Sequence, residues 1–186
     1  IAIAAILVTA EFGWGGVQQA LWQRIYQVPL EVSVFGERFS TTALVDTGNR
    51  LKDPIKGSPV IVVEHRVVRH LFPEHLEEVI GRMERGDYSE VSRLLTSSRW
   101  SSRFRVIPFT SLGKESGMLI GFRPDELAVF VEGQRVPVEG AVIGIHHGNL
   151  DPDRMYHALI HPEILHPVQE VIAGGRMERK TMVRNA

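Results

Sequence analysis

The sequence predicts a mainly β chain carrying a helical insertion. Three observations support this. Apolar and polar residues alternate along Leu30-Glu31-Val32-Ser33-Val34, the period of a half-buried strand. Three apolar runs, Val60 to Val63, Met118 to Phe122 and Ala141 to Ile145, read as further strands, and the first is continuous enough to be buried on both faces. Between them, Leu76, Val79, Ile80 and Met83 fall at helical spacing, behind a Pro73 that suits a first helical position and the acidic first-turn residues Glu74, Glu77 and Glu78.

In chain order, Ile1 to Ala10 is apolar apart from Thr9, and the first residue is not Met. That start suggests a fragment or a processed product. Ten residues are too few to cross a bilayer, which takes about 20. The stretch reads either as the last turns of a truncated span or as a small buried strand or helix. Trp14, Trp22, Tyr26 and Arg24 would suit an interfacial belt behind such a span. Gly13, Gly15 and Gly16 suggest a hinge, and Val17 to Gln27 a short amphipathic helix or linker.

Pro29 opens a hairpin that turns at Gly36-Glu37 and returns along Arg38 to Leu44. Asn49 to Ile55 is a loop. Glu64 to Leu71 reads as helix, Gly86 ends the helix begun at Pro73, and Tyr88 to Leu95 supplies another short one. The strand Ser101 to Phe109 and the strand Met118 to Phe122 flank a polar tip, Thr110 to Gly117. Leu127 to Val131 and Arg135 to Val138 form a hairpin around Glu132-Gly133-Gln134. Met155 to Ile160 reads as strand and His161 to Leu165 as a turn or short helix. The tail from Gly174 is polar and basic, the composition of a frayed end.

Composition narrows the function. Lys+Arg number 21 and Asp+Glu 22, with no basic stripe interleaved with aromatics, so nucleic acid is not the expected partner. The chain has no cysteine, which removes disulfides, thiolate metal sites and cysteine nucleophiles and fits a reducing compartment. Gly113-Lys114 lacks the remainder of a phosphate-loop motif.

The chemistry centres on Asp46-Thr47-Gly48. A carboxylate at the end of the apolar run Leu44-Val45 is costly unless hydrogen-bonded or reactive. Gly48 permits a sharp turn and close approach. The bland alternative is an Asp closing a strand in an Asx-type turn. Hydrolysis by paired aspartates needs two carboxylates about 3 Å apart sharing one proton. Asp53, Asp87, Asp125, Asp151 and Asp153 lack a following Thr-Gly or Ser-Gly. One chain therefore holds half of such a pair, and a two-fold homodimer would complete it.

Leu44-Val45-Asp46-Thr47-Gly48, with Val142-Ile143-Gly144 far downstream, resembles the retroviral-type, dimeric aspartic proteases. The longer string Ala43 to Ile55, then Gly57 to Glu64, is similar to the sporulation sigma-E factor-processing peptidase family of endospore-forming bacteria. Arg105 to Phe109 with Gly113 and Gly117, and Ala158 to Glu163, fit the same family. The resemblance covers roughly Val28 to Leu165. It implies an acid-protease fold with one Asp-Thr-Gly per chain, no cofactor and no metal. Residues 1–27 would then be the end of a membrane-embedded segment plus linker, 28–173 the protease domain with a helical insertion at about 64–97, and 174–186 a disordered tail.

The resemblance further implies an aspartic endopeptidase of the cell membrane, its protease domain on the cytoplasmic, mother-cell side. It would remove the propeptide of a sigma-factor precursor on a signal from a forespore-derived protein. Asp46 becomes the catalytic acid, Thr47 the hydroxyl bracing the two active-site loops, and Gly48 the close-approach glycine. Ser111, Leu112, Gly113 and Gly117 belong to a flap that closes over substrate. Val142, Ile143 and Gly144 form the supporting strand. Asn49 departs from the alanine usual in viral relatives, leaving substrate contacts there open, and the helical insertion is absent from the minimal viral fold.

Two other readings compete. His157 and His161, spaced i, i+4, with His146-His147 nearby, could bind zinc on a helix, but His-Glu-x-x-His is missing and 156–160 reads as strand. A non-catalytic dimeric signalling or binding module of the same fold has no use for an intact Asp-Thr-Gly.

Overall fold

A computed structural model of the chain describes residues 27–84, 87, 89–90, 99–111 and 114–165. Residues 1–26 of the expected membrane-proximal segment and linker 1–27, most of the expected helix 88–95, the tip residues Leu112 and Gly113, and the tail lie outside the described residues; Gln27, expected in the linker, already pairs as the first residue of a strand. Among the described residues nine strands form one mixed sheet: β1 (Gln27–Val34), β2 (Glu37–Val45), β3 (Val60–Glu64), β4 (Phe104–Ser111), β5 (Lys114–Phe122), β6 (Glu126–Val131), β7 (Gln134–Pro137), β8 (Val142–His146) and β9 (Ala158–Ile160). Two helices, α1 (His65–Val68) and α2 (Glu74–Glu84), follow β3. The fold is mainly β, as the sequence predicts.

The spatial order is β4-β5-β8-β3-β9-β2-β1-β6-β7. β9 runs parallel to β2, β8 runs parallel to β3, and the other pairings are antiparallel. This order forces the sheet to curl. β5 ends at Phe122 and β6 begins at Glu126, yet five strands lie between them. Four residue steps reach at most about 14 Å, whereas six flat interstrand spacings would need roughly 29 Å. Hydrogen bonds mark the closure. Asp125 N–H donates to the Ser33 carbonyl at 2.8 Å, and Asp125 Oδ2 accepts from the Phe35 amide at 2.6 Å.

Rings seal the same seam. Trp100 is 1% exposed and packs against Phe35, Phe72, Phe104 and Phe122 at centroid distances of 4.9, 4.8, 5.5 and 5.5 Å. The bottom of the β4–β5 hairpin, the β1–β2 turn and the segment between α1 and α2 therefore share one aromatic core. In the tight turn joining β1 to β2, Phe35 and Gly36 both have positive φ, 53° and 84°. The second of these conformations favours glycine.

β3 is buried along its length. Ile61 and Val63 face the main core. Val60 and Val62 face a second apolar cluster, with Ile107 and Val142 and with Leu51, Leu119 and Leu159 packed on it. Alternation along the neighbouring β8 sends Ile143 and Ile145 into the main core and Val142 into the second cluster. Gly144 meets Gly121 in the β8–β5 register, and Ile107 Cδ1 fills the notch the pair leaves. A Cβ on Gly121 would lie 2.5 Å from the Ile143 carbonyl oxygen and 2.8 Å from Ile107 Cδ1.

Several boundaries differ from those read in the sequence. Ser101 to Arg103 form a turn, because the amides of Arg103 and Phe104 both donate to the Trp100 carbonyl; the strand starts at Phe104. The β4–β5 ladder continues through the polar segment expected to be a tip, pairing Phe109 with Gly117 and, past a register shift, Ser111 with Lys114. β9 begins at Ala158 rather than Met155, since Asp151 binds the amides of Asp153 and Met155 and holds that segment in a turn. Glu64 is the last residue of β3, not the start of a helix.

Candidate active site

β2 delivers Asp46 to the site. The Asp46 amide donates to the Ile160 carbonyl at 3.0 Å, extending the β2–β9 ladder by one bond. The chain then turns at once, with the Asn49 amide donating to the Asp46 carbonyl at 3.1 Å. Inside this turn the Gly48 amide donates to Asp46 Oδ1 at 2.8 Å. This is the Asx geometry that the bland reading foresees, and it orients the carboxylate. Among the described residues no donor reaches the second carboxylate oxygen. Asp46 is half-buried, while Thr47 and Gly48 are exposed, so the turn presents an open face.

Asp46 and Gly48 border a cleft of about 980 Å³. The loop residues Arg50, Leu51 and Lys52 form one wall. Val62 and Leu159, from the second apolar cluster, form the floor. Asn49, together with Pro108, Phe109 and Thr110 of β4 and Gly117 and Met118 of β5, completes the lining. An apolar cleft with a few converging polar groups is the usual form of a ligand site. The Phe109 ring lies directly over Gly117: a Cβ there would come within 2.5 Å of two ring carbons. Gly117 thus leaves room for the ring that covers one edge of the cleft.

The sequence-predicted residues fall into three groups. Asp46, Gly48 and Gly117 share the cleft, with Thr47 on its exposed shoulder. Ser111 lies on β4 beyond the residues lining the cleft, and Leu112 and Gly113 lie outside the described residues. Val142, Ile143 and Gly144 are on β8, separated from β2 by β3 and β9, so they do not hydrogen-bond to the acid-bearing strand. Their link to the loop is apolar: Val142 packs in the cluster that Leu51 covers, and a Cβ on Gly144 would meet Val60 Cγ1 at 3.0 Å.

Three features were not read from the sequence. Asn49 is 7% exposed and points inward; its Nδ2 donates to the Val60 carbonyl at 2.9 Å and its Oδ1 accepts from the Leu51 amide at 3.0 Å. The loop behind it closes as a small hairpin, with the Val60 amide on the Leu51 carbonyl and a Lys52–Pro59 bridge. Asp53, 1% exposed, secures its far end by accepting from the Ile55 amide, with Arg105 Nε 3.6 Å away. Lys52 pairs with Glu163 at 3.1 Å, tying the cleft wall to the turn that follows β9.

The histidines serve other ends of the fold. His157 and His161 bracket strand β9, and four extended residues span about 13 Å. His161 Nδ1 accepts from the Glu163 amide. His157 Nδ1 lies 2.8 Å from an Arg66 guanidinium nitrogen and 3.3 Å from Glu64 Oε2. Arginine can only donate, so in its contact with Arg66 this ring nitrogen accepts. Glu64, 1% exposed, also pairs with Arg66 and accepts from the Leu150 amide at 2.8 Å.

Beside Glu64, the rings of His65 and His147 stack at 3.9 Å. Burial, then the neighbouring His65 and His146, lower the His147 pKa to about 4. Burial also lowers His146, against the opposing pull of Glu64. Burial raises the Tyr156 phenol, and the carboxylates of Asp151, Asp46 and Glu64 add to the effect. No group of three or more His, Asp or Glu among the described residues is arranged to hold a metal ion.

Comparison with known proteins places this arrangement. The model of the family described as Sporulation factor SpoIIGA, a peptidase family, matches residues 1–164. The chain is 29% identical over 147 residues to the putative sporulation sigma factor-processing peptidase of Bacillus thuringiensis subsp. kurstaki, covering 78% of this chain and 88% of that protein. It is 26% identical over 138 residues to the sporulation sigma-E factor-processing peptidase of Priestia megaterium, covering 74% of this chain and 44% of that protein. Against the peptidase of the same name from Bacillus subtilis it is 24% identical over 190 residues, covering 86% and 59%. The chain thus spans about half the length of those last two relatives. No solved structure matches. With the family model covering nearly the whole chain, from its first residue through the turn after β9, the chain belongs to the SpoIIGA sporulation peptidase family.

Proposed function

We propose that this chain is the protease part of an aspartic endopeptidase, active as a two-fold homodimer, that removes the propeptide of a sporulation sigma-factor precursor. The observation that carries the reading is the setting of Asp46. It ends a strand at the mouth of a cleft, one oxygen is held by the Gly48 amide, and the exposed Thr47-Gly48 shoulder leaves room for a second copy. The relatives' names supply the substrate class.

In the dimer the two Asp46 carboxylates share one proton, because like charges that close cannot both ionise. The ionised member takes a proton from water as the water attacks the scissile carbonyl. The protonated member gives its proton to the carbonyl oxygen. The tetrahedral diol then collapses: the carboxyl that took the water proton gives it to the amine nitrogen, the C–N bond breaks, and the other carboxylate takes a hydroxyl proton as the carbonyl re-forms, which restores the one-proton pair. The Gly48 amide holds each carboxylate in place, and the β4–β5 hairpin covers the extended peptide and excludes water. No cofactor is needed for this chemistry.

The proposal includes attachment to the cell membrane through the segment before β1, the protease domain on the mother-cell cytoplasmic side, and activation by a forespore-derived protein. Among the described residues no helix is long and apolar enough to cross a membrane. Tethering would raise the local concentration of a weak dimer. The test is co-expression with a sigma-factor precursor. Asp46→Asn should abolish cleavage, since losing one acid/base role costs about 10²–10⁴-fold and the substitution enters both halves of the pair. Undiminished cleavage by Asp46→Asn would rule the acid-pair mechanism out.

A further inference from the structure

Asn49 satisfies an unusual set of demands for a turn residue. Asparagine in a loop ordinarily faces water, whereas this side chain is 7% exposed, sits three residues after Asp46 and bonds at both ends of its amide. Its Nδ2 reaches the carbonyl of Val60, the first residue of the fully buried strand β3. Its Oδ1 receives the Leu51 amide. Its own backbone amide closes the turn on the Asp46 carbonyl. One residue thereby connects the acid-bearing turn, the cleft wall and the most buried strand of the sheet.

We propose that Asn49 is a positioning residue, acting through Asp46: its carboxamide fixes the height of the acid-bearing turn over β3. This rests on the aspartic-protease reading above. The chemistry explains the residue type. The Val60 carbonyl needs a donor and the Leu51 amide needs an acceptor, so the side chain must be an amide of this length. Aspartate keeps the acceptor and loses the donor. Alanine loses both and leaves two buried backbone groups without partners, which a turn can relieve only by moving. Such a shift carries Asp46 with it, because β2 leads into the turn without an intervening residue. In a dimer the displacement occurs in both copies of the pair.

The experiment uses the full chain and a sigma-factor precursor, with steady-state cleavage and thermal unfolding measured on the same preparations. The variants are Asn49→Ala, Asn49→Asp and, as a stability control, Val68→Ala. Val68 is wholly buried in α1, away from the cleft lining. Misplacing reacting groups by about 1 Å costs on the order of 10²-fold, so Asn49→Ala should lower kcat by about 10- to 100-fold with KM changed less than about threefold. Asn49→Asp, which sets a buried carboxylate oxygen against the Val60 carbonyl, should lose at least as much kcat as Asn49→Ala. Val68→Ala, compared at temperatures equally far below its own midpoint, should keep kcat within about twofold.

Equal kcat losses in Asn49→Ala and Val68→Ala at matched stability would overturn the proposal, as would an Asn49→Ala enzyme with native kcat. If Asn49→Ala does not fold, Asn49→Asp decides on the same criteria. Asp46→Asn run alongside separates the two readings. If it is inactive while Asn49→Ala is fully active, only the positioning role fails. If it cleaves normally, the acid mechanism fails and the positioning role fails with it.

Discussion

Gly48→Ala separates catalysis from stability. The Gly48 amide lies 2.8 Å from Asp46 Oδ1, and a Cβ built on Gly48 would lie 3.2 Å from the same oxygen. Ordinary van der Waals contact begins at 3.4 Å, so the carboxylate must give by at least 0.2 Å, the difference between the two distances. In a dimer both copies carry the change, so the two acids would separate or tilt by about 0.4 Å or more together. Scaled from about 10²-fold per ångström, turnover should fall about 10-fold. Stability should move the other way. Gly48 is exposed and its φ is not in the left-handed region, so alanine leaves the backbone unstrained, meets only the carboxylate oxygen, which can swing toward solvent, and restricts the unfolded chain. A gain of about 0.4–1 kcal/mol is expected, which for a domain of this size raises the melting midpoint by about 1–4 °C. The assay is precursor cleavage alongside differential scanning calorimetry. Turnover at the native rate, or a midpoint lowered by more than about 2 °C, would show that the turn does not hold the carboxylate as described.

Two further predictions concern the frame around the site. Acidification should destabilise the fold through His147. Its folded pKa is held near 4, below its unfolded value of about 6.5, so its contribution is complete above about pH 6.5 and is lost as pH falls toward 4. The full shift corresponds to roughly 3 kcal/mol. The ring is only half-buried, and solvent screening reduces this to about 1–2 kcal/mol. Urea unfolding at pH 7 and pH 4.5 should show a stability loss that is smaller by that amount in His147→Phe; equal losses refute the assignment. Gly121→Ala should destabilise by about 1–3 kcal/mol, because its Cβ would strike a backbone carbonyl at 2.5 Å. A loss below about 0.5 kcal/mol in denaturant unfolding would mean that β5 and β8 are less closely packed than described.

Elements with a strong local pattern were legible in the sequence. The alternation of Leu30, Val32 and Val34 and the glycine at 36 gave the first hairpin, and the unbroken run Val60 to Val63 gave a strand buried on both faces. Asp46 at the end of β2 needed only the two apolar residues before it. What the sequence concealed is non-local. β9 is three residues long, and nothing in its pattern reveals that it is inserted between β2 and β3, parallel to one and antiparallel to the other. Glu64 reads as the start of a helix because its partners Arg66, Leu150 and His157 come together only in the closed sheet. Asn49 reads as the first residue of a loop, and its burial depends on the Val60 carbonyl that faces it. Trp100 stands in a turn, yet four other parts of the chain meet on its ring.

The β4–β5 hairpin is a cantilever. Its root rung, Phe104 opposite Phe122, is set in the ring cluster around Trp100, and Ser111 lies seven residues farther out, about 23 Å at strand spacing. Ile107, wedged against Gly121 and Gly144, stiffens the first half of the arm. Beyond it comes Phe109 opposite Gly117, a rung with a side chain on one strand only and a register shift immediately after. Side-chain packing across the hairpin therefore thins at that rung, on the border of the same cleft that Asp46 lines, while the root stays bound in the ring cluster.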